Sequence, residues 1–426
     1  MAIRMRIAGV VLAVAVIATA VTAGGTPGAT NKAATKAAAK TLTVWLQIDA
    51  QAANWEPIVK AANAQFESKH PDWSVNVQYQ TWSTHLQKFD ATLAGGNAPD
   101  VIEMGNTEMT KYMAAGAFAD ITSSKASFPN SSTWLRGLAA SGIYARKVFG
   151  APYYAGSRVV TYRTDLFSKA GIKKNPKSIA EFTKDAKKLA LKNKAKGFSP
   201  VYIAGTDWYV AMSFVYDYGG SIATKRNGKW VGTLDSKKSM QGLNAYKAFF
   251  KAASRASKTA DEAHPNPYVV YAQGRAGSMV GPAWFSCCVK PYKAHTKQFV
   301  MPSHTSGKVI PGFLGGSDLA VPAPSGNKAE AVAWLKIYLG NTSEKALQAI
   351  GNIPNTTSLL GANPANAVNE KAALRSWFVP TAKNWVNVEN GNILRNMLAQ
   401  ILTGKLTTKQ AATSASDNIA SVLNAP

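Results

Sequence analysis

Residues 90–106 read DATLAGGNAPDVIEMGN, and this stretch decides the fold. Gly95, Gly96 and Pro99 break the chain at a turn. Asp100 leads into Val101, Ile102, Glu103 and Met104, a short run that suits a buried strand. Gly105 and Asn106 stop that strand. In an open α/β sheet, solutes sit just beyond the carboxyl ends of strands. Glu103, Gly105 and Asn106 therefore stand at the lip of a cleft. A plain βα turn with a solvated asparagine fits the same letters, so the surrounding chain has to decide.

Upstream, Leu42, Val44 and Leu46 alternate with Thr43, Trp45 and Gln47, as a strand does. Trp55, Ile58, Val59, Ala62 and Phe66 have helical spacing, which makes Trp55 a core residue; Trp334, in the helical run from Ala329 to Leu339, is another. Val75, Val77 and Tyr79 form a second strand, and Leu86 and Phe89 open a second helix. This β-α-β-α-β order implies a parallel sheet with helices on its faces. Downstream, residues 148–156 read as a strand entering a bend, and Arg158 to Arg163 as a separate strand. Ser178 and Glu181 form a capping box for a helix running to about Lys192. Val201 to Ala204 is strand-like and Asn227-Gly228 suits a hairpin turn. Leu319 to Val321 reads as a strand after a glycine-rich crossing. Thr407 is placed to cap a last helix ending near Leu423.

The chain has 426 residues, enough for two cores rather than one. Its formal charge is +25; Arg4, Arg6, Lys32, Lys36 and Lys40 precede residue 41, which leaves +20 on the rest. The lysines show no nucleic-acid recognition motif. They read as a solvated basic surface suited to an anionic cell envelope. Arg4 and Arg6, the apolar run Ile7–Ala20 and the small residues Val21-Thr22-Ala23 form a signal peptide over residues 1–23. Residues 24–40 make a flexible linker. Cys287 and Cys288 are adjacent. Export permits a disulfide, yet neighbouring Cα atoms lie only about 3.8 Å apart, below the usual bridge range. Two free thiols are the alternative.

Taken in order, several blocks resemble one family. LAGGNAPDVIEMGN (93–106), VVTYRTDLFSKAGI (159–172) with PKSIAEF after it, GRAGSMVGPAWF (274–285), GGSDLAVPAPS (315–325) and the closing block from Pro380 to Leu423 are similar to family-one extracellular solute-binding proteins of ABC sugar importers. The IEMGN block looks most like the actinobacterial chito-oligosaccharide-binding type. The resemblance implies an α/β, two-lobed periplasmic-binding-protein fold of type II. Each lobe would be a mainly parallel sheet with flanking helices. The N-lobe would span 41–153 plus 318–372, and the C-lobe 154–317 plus 373–426. Hinge crossings would fall at Tyr153–Arg158, at Gly315–Asp318 and near 372–376. Many relatives with this kind of N-terminus carry a lipid-anchoring cysteine after the signal peptide; here Gly24 follows Ala23, so no lipid attachment is expected at that position.

A sugar offers hydroxyls, which need paired donors and acceptors, and C–H faces, which need flat apolar partners. Trp82, Trp208, Trp284 and Phe285 follow strand ends, and the family motif carries Trp284. Asp49, Glu103, Asn106, Arg158, Gly316, Ser317 and Asp318 supply polar or close-approach contacts. Tyr153 and Tyr154 supply a ring and a hydroxyl each. A bridged Cys287–Cys288 would present a rigid apolar plate. The implied partners are a sugar or oligosaccharide and the membrane permease subunits. A monomer is expected, with no catalytic residue, metal or cofactor.

Two other functions fit an exported α/β chain. A glycoside hydrolase needs two carboxylates about 5–9.5 Å apart, and Glu103 with Asp49 is the best such pair. A same-fold receptor for an iron chelate or polyamine would want clustered ligands or excess acid, and the five histidines are dispersed. No nucleotide, zinc-protease or esterase motif is present.

Overall fold

The computed structural model describes residues 40–47 and 52–426. The signal peptide, nearly all of the linker, and Asp49 lie outside the described residues. The described chain builds one nine-stranded sheet. Its strands are β1 (Lys40–Gln47), β2 (Trp73–Gln80), β3 (Val101–Gly105), β4 (Gly150–Arg163), β5 (Ser278–Pro282), β6 (Thr296–Phe299), β7 (Gly312–Ala320), β8 (Ile353–Pro354) and β9 (Ser376–Trp377). The main path runs β6–β4–β7–β3–β1–β2, with β5 and β8 paired to β4 and β9 to β7.

The sheet is mixed, which corrects the mainly parallel expectation. β1 pairs in parallel with β2 and with β3, as the alternation of strands and helices required. β7 runs antiparallel to both β3 and β4, and β5, β6 and β8 run antiparallel to β4. The first three strands are each tied to the next by a local helix, which fixes their direction. β7 arrives from a remote segment, so nothing near it in sequence set its sense.

Two further differences concern strand ends. β4 is one 14-residue strand, where a strand, a bend and a second strand were expected. It runs on without a break, with Gly156 and Ser157 paired to Gly315 and Leu314. Residues 201–204 form no strand. Tyr202 makes only an isolated bridge to Met279, although its N–H and C=O both reach the backbone of β5.

The local signals otherwise match. Asn227 and Gly228 adopt φ of 46° and 81° in a hairpin of strands Ala223–Arg226 and Lys229–Gly232. Thr407 and Gln410 close a reciprocal capping box on the helix Thr408–Asn424. At the helix Ile179–Lys192, Ser178 Oγ accepts from the Glu181 N–H, but Glu181 reaches the Lys177 N–H rather than that of Ser178.

Burial gathers in separate clusters. One large core draws on residues between 160 and 313 and between 377 and 423. The other, with a smaller cluster beside it, draws on residues between 42 and 153 and between 319 and 347. Trp334 lies fully inside this second set, as its helical spacing suggested. β4 and β7 supply residues to both.

Candidate functional site

The site grows out of the antiparallel pair β4–β7, which runs through the place where the two cores meet. Gly315 sits opposite Gly156, and Gly316 opposite Ala155. The register slips between Ser317 and Asp318, so that Ser317 faces Tyr154 while Asp318 faces Pro152. Tyr153 is the extra residue of this bulge, a device that re-aims side chains. Tyr153 is buried in the first-strand core, with its hydroxyl bonded to the Tyr338 hydroxyl and to the Trp55 indole N–H. Tyr154 is only half-buried. Its ring stands edge-on to Trp55 at 5.0 Å and to Trp284 at 6.5 Å.

Trp284 enters from the other core, in the short turn Ala283–Cys288 after β5. Its ring lies directly on Gly156, where an added Cβ would sit 1.9 Å from Cζ3. A side chain there would evict the ring. Trp55, Tyr154 and Trp284 thus form a row of half-buried rings from one core to the other. Trp55 was expected in the core; its place near the start of the helix Ala52–Lys69 leaves it half-exposed instead.

At the end of β3, Glu103 Oε2 accepts from the Gln47 N–H at 2.8 Å, and the Glu103 carbonyl accepts from Gln47 Nε2 at 3.2 Å. The Asn106 side-chain amide donates to the Leu314 carbonyl at 2.9 Å, and its N–H donates to the Gly316 carbonyl at 3.0 Å. Asn106 therefore pins the β3 loop to the crossing strand. Glu108 accepts from the Gly105 N–H at 2.8 Å and from His85 Nε2 at 2.9 Å. His85 Nδ1 faces the Trp82 carbonyl at 2.9 Å. Both ring nitrogens face acceptors, an arrangement that favours the doubly protonated ring. Desolvation opposes that charge, but the Glu108 carboxylate and the Trp82 carbonyl outweigh it and raise the His85 pKa.

A second group of residues is charged. The Arg158 guanidinium lies 4.0 Å over the Tyr209 ring and its Nε is 3.8 Å from Asp207 Oδ1. Asp207 caps the helix Trp208–Asp217, and burial, partly offset by Arg158, lifts its pKa to about 6. Arg395 pairs with Glu262. Glu389 accepts from the Trp385 indole N–H and, at 3.4 Å, from the Thr107 hydroxyl beyond β3. Desolvation raises its pKa to about 7. Burial, with Glu389 and Glu262 nearby, holds the Tyr209 hydroxyl firmly protonated. Arg158, Arg395 and Tyr209 are donors and Glu262 and Glu389 are acceptors, all held by prior contacts. Hydroxyl-rich solutes suit such a set.

The other expected residues fall elsewhere. Trp208 is 2% exposed inside the larger core, stacked on Tyr209 and tilted against Trp377, so it presents no face to a solute. Ser317 and Asp318 are fully buried. Ser141 Oγ lies 2.6 Å from Asp318 Oδ2 and also bonds the Leu138 carbonyl. One hydroxyl proton cannot serve both, so Asp318 is the neutral acid; burial raises its pKa to about 8. This pair locks β7 in place rather than meeting a ligand. Gly316 admits the Tyr154 carbonyl, which would lie 2.1 Å from an added Cβ. Trp82 is exposed, with its ring 5.2 Å from His85. Phe285 packs on Gly281 and edge-on to Tyr268. Cys287 and Cys288 are bridged, which settles the alternative left open above.

Sequence reasoning missed Trp55, His85, Tyr209, Glu262, Glu389 and Arg395. The first is misread because helical spacing marks a face, not how far along the helix burial extends. His85 had a usable signal: it stands at the first turn of its helix, with Glu108 just beyond β3. The remaining four come from segments far apart in sequence, and only tertiary packing unites them.

Residues 47–345 match the family model for bacterial extracellular solute-binding proteins. The diacetylchitobiose-binding protein DasA of Streptomyces coelicolor is 32% identical over 375 residues, covering 86% of each chain. Among solved structures, the GacH receptor of Streptomyces glaucescens superposes with a TM-score of 0.77 at 20% identity, covering 90% of this chain and 98% of that one. A solute-binding protein of Thermotoga lettingae gives 0.76 at 20% identity, covering 91% and 100%. At such identity these structures speak for the fold, a periplasmic-binding-protein-like α/β fold. The family match and the 32% relative together decide the assignment: the chain belongs to the bacterial extracellular solute-binding proteins.

Proposed function

We propose that the chain captures a short oligosaccharide between two lobes and delivers it to the permease subunits of an ABC transporter. Members of this family bind solutes and do not transform them, so the hydrolase reading is set aside. The sugar reading rests on the row Trp55–Tyr154–Trp284, taken with the fixed donors and acceptors of the Arg158–Tyr209 and Thr107–Glu389 contacts. Rings take the C–H faces of pyranoses and the charged group takes their hydroxyls. DasA is named for diacetylchitobiose, GacH was solved with acarbose, and the Thermotoga protein with α-D-tagatose. An N-acetylated amino-sugar disaccharide is the first ligand to test here.

The two-lobe reading is supported by the separate cores, whose residue ranges part near 153–160, 313–319 and 347–377. Gly315 and Gly316, in the crossing strand, would absorb the rotation. Closure needs a ligand that binds the closed form better; the Thr107–Glu389 bond already ties the loop after β3 to the helix Trp385–Asn390. The bridged cysteines, three and four residues past Trp284, would extend the apolar floor.

Tryptophan fluorescence titrated with chito-, cello-, xylo- and malto-oligosaccharides tests this. Saturable quenching or enhancement by at least one, with no reducing ends released, is expected. A flat response to every sugar would remove the reading.

A further inference from the structure

The basic surface has a focus. Residues 169–196 hold ten lysines against two acids, Glu181 and Asp185, a net +8 in 28 residues of a chain whose whole charge is +25. All ten lysines are exposed. Both acids are already engaged: Asp185 pairs with Lys188 at 3.3 Å, and Glu181 accepts from the Lys177 N–H at 2.7 Å.

The helix Ile179–Lys192 organises the charge. It buries Phe182, Ala186 and Leu189 on one side. Lys184, Lys187, Lys188 and Leu191 follow at spacings of three and four, which places them on one outward face. Leu191 is 66% exposed in the middle of this lysine face. Beside it, a groove of about 470 Å³ is lined by Lys173, Lys174, Lys177, Lys184 and Lys188 together with Glu181 and Asp185. Lys177 also borders a second groove, of about 290 Å³, with Lys308 and Lys371 and no acidic residue. Leu374 is 78% exposed. Leu191 and Leu374 are the two most exposed large apolar side chains among the described residues; Leu191 belongs to the lysine helix, and Leu374 follows Lys371 of the second groove by three residues.

A surface selected for solubility alone needs charge but not bare leucines within it. Lysines ringing exposed apolar side chains match the chemistry of a bilayer interface, where phosphates draw the charge and the acyl boundary takes the leucine. We infer that this face docks the protein on anionic phospholipid, through the lysines of 173–196 with Leu191 and Leu374 as shallow anchors. Docking concentrates a diffusing receptor in the plane of its permease. The inference uses the extracellular setting of the family but not the identity of the sugar.

Co-sedimentation with phosphatidylglycerol-containing and pure phosphatidylcholine vesicles tests it, using the mature chain. Binding to the first and not the second is expected, weakening as ionic strength rises to about 0.15 M, where charges are screened beyond about 8 Å. The variant K184E/K187E/K188E should lose about tenfold or more in vesicle affinity, whereas K69E/K125E/K345E, equal in charge but remote in sequence, should lose much less. L191S/L374S should weaken the binding that survives at higher salt. Absence of binding to anionic vesicles, equal loss from both triple variants, or capture by soluble polyphosphate without vesicle binding would each overturn the inference. Sugar titration of K184E/K187E/K188E should match that of the parent chain. A parent chain that ignores every sugar but binds vesicles would sink the proposed ligand and leave the docking face standing.

Discussion

Replacing Gly156 with alanine attacks the sugar platform without touching a ring. The new Cβ would lie 1.9, 2.7 and 3.0 Å from three ring atoms of Trp284. Carbon atoms pack at about 3.5–4.0 Å, so the ring has to retreat by about 1.5 Å or more. A gap of 0.5–1 Å already forfeits roughly a quarter to a half of a dispersion contact. A sugar face stacked on an indole contributes about 1.5–3 kcal/mol, so the displaced ring loses about 1 kcal/mol or more. Each 1.4 kcal/mol is tenfold in affinity, which gives a fivefold or greater loss, about. Trp284→Ala removes the whole face and should cost roughly tenfold to 150-fold on the same arithmetic. Calorimetric titration with the best-bound sugar measures both, with far-ultraviolet circular dichroism confirming the fold. Unchanged affinity in both folded variants would refute the stacking role.

Other outcomes follow from the buried charges. Asp318 holds its proton in the folded state up to about pH 8 against 3.8 unfolded, so the fold loses stability as pH rises through that window, by up to about 1.4 kcal/mol per unit. Asp318→Asn should flatten that part of the melting curve, and a parallel fall in both proteins would contradict the assignment. His85 has the usual sense for a paired imidazole: its contribution is full below pH 6.5 and fades as pH rises through its raised folded value. His85→Gln should therefore be most destabilised at low pH, as thermal melts from pH 5.5 to about pH 8 will show. Reducing Cys287–Cys288 closes or opens almost no loop, so the melting temperature should barely move. Sugar affinity should drop severalfold if the pair forms part of the apolar floor, and equal titrations of oxidised and reduced protein would remove it from the site.

Much of the fold was legible because local rules governed it. Ser178, Thr407 and Asn227-Gly228 punctuate the chain where the structure starts helices and turns the hairpin. β1, β2 and β3 alternate with helices and pair in parallel, as that order demands. The strand at Leu319 was read, but the direction of β7 was not legible, because its antiparallel partners come from segments 150–163 and 101–105. Of the residues proposed for the site, Trp284 and Tyr154 were picked from their places after a strand and in a crossing. Ser317 and Asp318 were misplaced since a bulge, invisible in sequence, turned them inward. Trp208 was misplaced because a tryptophan after a strand-like run can equally begin a buried helix.

The most direct test is a crystal structure of the chain with the oligosaccharide it binds most tightly. The account expects a pyranose face within about 4 Å of the Trp284 ring and hydroxyls meeting Arg158 and Glu389. A sugar bound away from Trp55, Tyr154 and Trp284, with those rings unaltered, would contradict it.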